Sequence, residues 1–307
     1  MSRINLRPAW ALTGALAALD FFLLPFAGFT VSSKAFTGIL GVGCIVLLLA
    51  EFYRRMRPDQ IIAAALDGTG LLIVYSLMAA LFSYIATAAE LPLQDWHLAR
   101  IDQILGFDFV AHIAWVAERP WLRRLLEIVY FICALELILI IYVLSFYDRN
   151  ALARFLIAYC YSAFAVITLA ALIPAIGAYL HHPIGSDLLN HYEDINAGRW
   201  HLLHFEELRA GTFGAFEPGS VEGLVTFPSF HAVLAVLMGR ALWVVPVLRW
   251  PGVVLNLAIF LSALSIGGHY LIDLLIGGLI GLCTLYWAEK VPVRAETKAL
   301  DPLPRQG

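Results

Sequence analysis

About eight stretches of this chain are long and apolar enough to cross a bilayer: near residues 9–29, 36–53, 62–88, 124–146, 154–180, 229–246, 251–267 and 270–288. A span needs roughly 20 mostly apolar residues, because a helix must bridge about 30 Å of hydrocarbon. The expectation is an all-α fold, a polytopic membrane helix bundle. Composition agrees, with 61% of the 307 residues hydrophobic and only 14% charged, where a soluble domain carries about 25%. The first apolar run is followed by a second span and has no small-residue cleavage site behind a short hydrophobic core, so it reads as a retained helix. A net charge of −3 gives no sign of a nucleic-acid partner. Cys44, Cys133, Cys160 and Cys283 all fall within apolar runs without CxxC spacing, so neither a disulfide nor a zinc site is expected.

Eight spans put both termini on one face of the membrane. Twelve Lys and Arg residues, Arg54, Arg55, Arg57 and Arg149 among them, lie on that face, against seven spread over longer loops on the other. The excess marks the cytoplasmic side, which in a bacterial inner membrane leaves the opposite face periplasmic and in an organelle leaves it lumenal. Two segments on that opposite face are long. In residues 90–123, Trp96, Ile101, Ile104, Leu105, Phe109, Ile113 and Trp115 recur at roughly helical spacing, the pattern of an amphipathic helix lying in the interface. Residues 181–228 are polar and rich in histidine, and a loop of that length beside a candidate site suits a lid or binding element. The chain reads as one membrane domain, residues 1–294, with a disordered cytoplasmic tail at 295–307. Nothing in the spans specifies an oligomeric state.

Two short segments carry chemistry: Thr226-Phe227-Pro228-Ser229-Phe230-His231 and Gly267-Gly268-His269-Tyr270-Leu271-Ile272-Asp273. Each puts a histidine where an apolar run begins, and ionisable groups inside membrane helices are costly enough to mark function. His269 and Asp273 are four residues apart, one helical turn, so they are expected to share a helix face. Asp273 can then hold the Nδ1–H of His269 and leave Nε2 free to attack phosphorus, an orienting role like that of a triad aspartate. Pro228 is expected in the first turn of its helix. The N–H groups of Ser229 and Phe230 would then be free to bind phosphate, with His231 placed to protonate a leaving oxygen. His201 and His204 are spaced i, i+3, which can ligate zinc. With no cysteine or carboxylate spacing to support a metal, the loop histidines His181, His182, His191, His201 and His204 are read as solvated.

These residues resemble the phosphatidic-acid phosphatase type 2 superfamily, in the branch that includes inositol phosphorylceramide synthases and many bacterial membrane phosphatases. Pro228-Ser229-Phe230-His231 matches its Pro-Ser-x-His motif, and His269 with Asp273 matches its His-x-x-x-Asp. Weaker echoes are Asp102…Leu105-Gly106-Phe107-Asp108, Pro174-Ala175-Ile176-Gly177 and Leu208-Arg209-Ala210-Gly211, so the likeness covers roughly residues 100–285. It implies a metal- and cofactor-independent phosphohistidine mechanism on a lipid phosphate, with His269 as nucleophile and His231 as general acid. The acceptor is water in a phosphatase and a hydroxyl compound in a headgroup transferase.

The chain departs from the pattern where cations are expected. Ala263 stands where the superfamily has an Arg six residues before the motif His, and the Lys-x6-Arg-Pro motif has no true counterpart. His112…Arg119-Pro120 has only the spacing, and Arg57-Pro58 is on the wrong side. Stabilising the equatorial phosphoryl oxygens is most of this catalysis, so Arg209, in the loop feeding the first motif, is the leading replacement and Arg199 the second. A transporter using these charges as a proton relay is one alternative, although they cluster at one membrane edge instead of tracing a path across. An inactive relative serving as a scaffold is the other.

Overall fold

The computed structural model describes residues 4–192 and 197–293; the tail expected from residue 295 lies outside them. The long helices are α1 (Arg7–Leu23), α2 (Ser33–Arg55) and α3 (Gln60–Thr87). Two short ones follow, α4 (Asp95–Ile104) and α5 (Phe109–Ala117), then the long α6 (Pro120–Tyr147) and α7 (Arg149–Leu172). The loop helices α8 (Ala178–His181), α9 (Ser186–Asn190) and α10 (Leu202–Arg209) lead to α11 (Phe230–Trp243), α12 (Arg249–Ser265) and α13 (Leu271–Lys290). Among the described residues, seven helices are long and apolar enough to cross a membrane, and α11, with 14 residues, is a shorter eighth apolar helix. The all-α bundle follows the apolar runs closely. The fifth run does not continue as helix to residue 180: α7 stops at Leu172, just ahead of Pro174, whose missing N–H cannot extend it.

The core lies where α3 and α7 meet α11 and α13. Tyr75 and Leu71 of α3 and Leu152, Ile157 and Ala158 of α7 are completely buried. Helix α2 packs chiefly on α3 and leaves Ile45, Leu48 and Phe52 exposed, as a lipid-facing helix should. Helices α11 and α13 run close together. At Gly277 a Cβ would stand 2.3 Å from the Ser229 carbonyl oxygen, so this approach requires glycine.

The interfacial segment forms two helices instead of one. Gly106, at φ +77°, turns the chain between α4 and α5, and the Asp108 side chain caps α5 by accepting the Ala111 N–H at 3.0 Å. Helix α4 is apolar outside and acidic inside. Trp96, Ile101 and Ile104 are exposed, whereas Asp95 and Asp102 are 4% and 3% exposed. An apolar outer face suits headgroup depth; the buried acids require partners.

The 181–228 loop is folded onto the bundle. Its strand β2 (Ala215–Phe216) pairs in parallel with β1 (Thr30–Val31) in the α1–α2 turn, Thr30 opposite Ala215 and Val31 opposite Phe216. His204, expected to be solvated, packs on α3 instead, with Nδ1 2.9 Å from the Tyr84 hydroxyl and 3.5 Å from a Glu222 carboxylate oxygen.

Candidate active site

Helix α11 starts at Phe230, not at Pro228. Ser229 is its N-cap, and its hydroxyl accepts the Ala232 N–H at 3.4 Å. The Ser229 N–H, expected to be free for phosphate, donates instead to the Asp273 carbonyl at 3.1 Å. Ser229 therefore joins the beginnings of α11 and α13, and the N–H donors left at this terminus begin at Phe230. His231 is the second residue of the helix, and its ring lies flat on Tyr130 of α6, with centroids 4.1 Å apart and planes 14° from parallel. That stack fixes the plane of the imidazole.

His269 and Asp273 meet by a different route from the one their spacing suggests. Helix α13 begins at Leu271, so His269 stands outside it, on the turn made by Gly267 and Gly268. Asp273 is the third residue of the helix. One of its oxygens, Oδ2, accepts the Tyr270 N–H at 3.0 Å and lies 3.3 Å from His269 Nδ1, at the long end of such bonds. The other, Oδ1, is buried and has no partner among the described residues. The carboxylate thus caps the helix and orients the histidine at once. Gly268 has φ +68°, and a Cβ there would meet the Tyr179 ring at 2.5 Å; its carbonyl accepts the Ala178 N–H at 2.9 Å.

Two carboxylates of α4 hold this turn from outside. Asp102 accepts the Leu271 and Ile272 N–H groups at 2.8 and 2.9 Å, binding the first donors of α13. Burial raises the Asp102 carboxyl above its ordinary value, partly offset by those two N–H bonds. Asp95 accepts the Ile176 N–H at 2.9 Å, the Gly177 N–H at 3.0 Å and the Tyr270 hydroxyl at 2.9 Å. The sequence marks Asp102 only as a weak echo of the family and leaves Asp95 unmarked; seven residues apart, the two lie on one face of α4.

His231 and His269 both line a cavity of about 610 Å³. Its walls come largely from α3, α6 and α7 (Ala79, Ala134, Val166), from the loop before α11 (Val221, Leu224) and from Phe230. Phe131 and Trp200, both lining residues, are 42% and 52% exposed and pack together with ring centroids 5.7 Å apart, forming the rim. A largely apolar pocket with a few histidines in its lining suits a molecule with a long apolar body and a small polar head.

A sequence model of the PAP2 superfamily matches residues 96–288, more than half of the chain. The chain belongs to the PAP2 superfamily. The matched stretch holds both histidine segments, Asp102 of α4 and the cavity's α6 and α7 walls, and it begins just after Asp95. No curated protein and no solved structure matches the chain.

Against the PAP2 pattern, the missing cations have a visible consequence. Ala263 is fully buried, and its carbonyl accepts the His269 N–H at 3.3 Å. It packs in a cluster with Ala232, Leu264 and Leu274, flanked by Phe107 and Tyr130, which fill the surroundings of the expected Arg. Arg209 is not among the cavity's lining residues: its guanidinium donates to the Leu91 carbonyl at 3.0 Å and sits 5.5 Å from the Phe205 ring centre. Arg199 lies beside a neighbouring small pocket with Tyr179, Tyr192 and Gly198. Among the described lining residues there is no Lys or Arg, and Glu222 is the one carboxylate. His201, read as a solvated loop residue, is instead 4% exposed and lines the cavity with the other two histidines. Sequence reasoning missed both His201 and Tyr130, because neither belongs to a local motif.

Proposed function

We propose that this PAP2 protein is a membrane-embedded phosphotransfer enzyme that cleaves a lipid phosphoester through a phosphohistidine. The carrying observation is the shared cavity: an oriented histidine and a second, stacked histidine lining one largely apolar pocket inside a membrane bundle. His269 Nε2 attacks phosphorus, forming the N–P bond as the P–O bond to the leaving group breaks. His231 supplies the proton to that leaving oxygen. Water or a hydroxyl compound then attacks the phosphohistidine, returns a proton to His231 and releases His269. Asp273 keeps Nδ1 protonated and stabilises the imidazole as it becomes cationic. Electrostatic support would come from the N-terminal end of α11, which begins at the cavity-lining Phe230.

Arg209 and Arg199 remain the proposed cationic contributors, acting at longer range because neither lines the cavity. The outer leaflet, periplasmic in a bacterium, is the proposed substrate side, since both histidine segments lie opposite the face richer in Lys and Arg. A second reading, headgroup transfer from a phosphodiester to a lipid hydroxyl, is favoured by the absence of Lys and Arg among the described lining residues. A phosphodiester brings one negative charge where a monoester brings up to two, and so needs fewer cations.

Purified protein incubated with a panel of labelled lipid phosphomonoesters and phosphodiesters tests the reading. Release of inorganic phosphate marks hydrolysis, and a new labelled lipid on thin-layer analysis marks transfer. Acid-labile label on His269 marks the intermediate, and excess chelator should leave the rate unchanged. No turnover and no label on any substrate would overturn the proposal. A cysteine at Gly219 that labels from the cytoplasmic side would reverse the proposed leaflet.

A further inference from the structure

His201 is buried where a loop histidine should be exposed, and its burial has a direction. Its Nε2 lies 3.0 Å from the Ile176 carbonyl. A carbonyl only accepts, so Nε2 carries the hydrogen and Nδ1 is the remaining nitrogen. Ile176 is itself held by Asp95 through its N–H, so the histidine is fixed to the same carboxylate frame that supports the start of α13. The ring lines the cavity that holds His231 and His269. The titratable groups that act on it are His269 and Asp95, with His231 and the Glu222 carboxylate in the same cavity.

We propose that His201 is a third histidine of the site, one that binds the non-bridging oxygens of the phosphoryl group through Nδ1. This rests on the phosphotransfer reading above. Neutral Nδ1 carries a lone pair that repels an anion; protonated, it donates a charge-assisted hydrogen bond. Burial and the neighbouring His269 hold the imidazole below its ordinary range in the empty site, while the Ile176 carbonyl and Asp95 oppose them. An arriving phosphoryl anion favours the charged form, so binding draws one proton from water onto Nδ1. The site thereby gains a positive charge only when an anion is present, at a place where a permanent Lys or Arg would have to stay buried and unpaired.

Tungstate, a phosphate-shaped dianion, is the probe. His201→Gln keeps an N–H for the Ile176 carbonyl but cannot be protonated. Loss of one charge-assisted bond predicts about 10- to 100-fold weaker tungstate inhibition, with a higher KM for the lipid substrate and little change in how inhibition varies with pH. In the wild type, inhibition should strengthen as pH falls through the imidazole range. His97→Gln, at an exposed position on α4, is the control. Wild-type inhibition of a folded His201→Gln protein overturns the proposal. If that variant does not fold, diethyl pyrocarbonate modification of the wild type, read by peptide mass spectrometry, decides. Tungstate should protect His201 together with His231 and His269. Protection of those two without His201 refutes this inference alone, and protection of none, in a protein that turns over no lipid phosphoester, refutes the functional reading.

Discussion

His231 and His269 reach one cavity on unlike supports. The first is the second residue of α11, with its ring pressed on Tyr130; the second stands two residues outside α13 on a pair of glycines. Helix α11 is capped by its own Ser229, whereas α13 borrows Asp102 from the interfacial helix and uses Asp273 for two tasks. The difference matches the two proposed tasks. A proton donor moves no heavy atom and can sit in a rigid helix. A nucleophile must become bonded to phosphorus and released again, and a turn held by hydrogen bonds accommodates that better than a helix interior.

The largest predicted effects separate these tasks. His269→Ala should lose about 10⁴-fold or more of turnover whatever the leaving group. His231→Ala should lose about 10²- to 10⁴-fold on an alkyl lipid ester, yet recover most of it on an aryl ester whose leaving oxygen needs no proton. Parallel kinetics on the two esters measure this, and equal losses on both would erase the division of labour.

Next in size is the borrowed cap. Asp102→Asn keeps one acceptor for the start of α13 and loses the carboxylate. Charge-assisted hydrogen bonds contribute roughly 1.5–3 kcal/mol, so kcat should fall by about tenfold, with a lower melting temperature in detergent. Ser229→Ala, which removes the self-made cap, should cost about 1 kcal/mol of stability and less kcat than Asp102→Asn. If Ser229→Ala harms kcat more, α11 is the more delicately placed of the two helix starts.

The smallest effect concerns a histidine of α5 that shares only spacing with a phosphate-binding motif. His112 Nε2 is buried and has no partner among the described residues, and burial lowers its pKa. Below about pH 6.5 the unfolded chain takes up a proton that the folded chain resists, so stability falls as pH drops through that range. His112→Phe should flatten this acid-side decline in thermal unfolding. A large loss of turnover instead would bring the motif resemblance back into play.

The fold was legible because lipid solvent leaves few choices. Eight apolar runs became eight helices, and the one boundary misjudged by many residues lay at Pro174, a helix stop inside an apolar stretch. The motif residues were legible as a set, but their local geometry was not. An i, i+4 spacing says helix face, and only the position of the α13 start shows that His269 is off the helix and that Asp273 reaches it as a cap. Asp95 and Tyr130 were not legible, and His201 read as solvated, for another reason. They lie between 30 and 175 positions from the motif residues they serve, and no local pattern encodes a pairing such as Asp95 with the Tyr270 hydroxyl.

The shortness of α11 has a further consequence. Its 14 residues rise about 21 Å, while the 28 residues of α6 beside it rise about 42 Å. A hydrocarbon core about 30 Å thick is therefore not bridged by α11 alone, and a shortfall taken at its histidine-bearing end would set His231 below the level that longer neighbours reach. Under the proposed function, a lipid head would then descend to that level and leave part of its hydration behind. Depth then acts as a chemical variable. Each unit of charge developing at the phosphorus would be felt more strongly there than at the water surface, so the membrane's thickness at this helix would help to set the strength of the proposed chemistry.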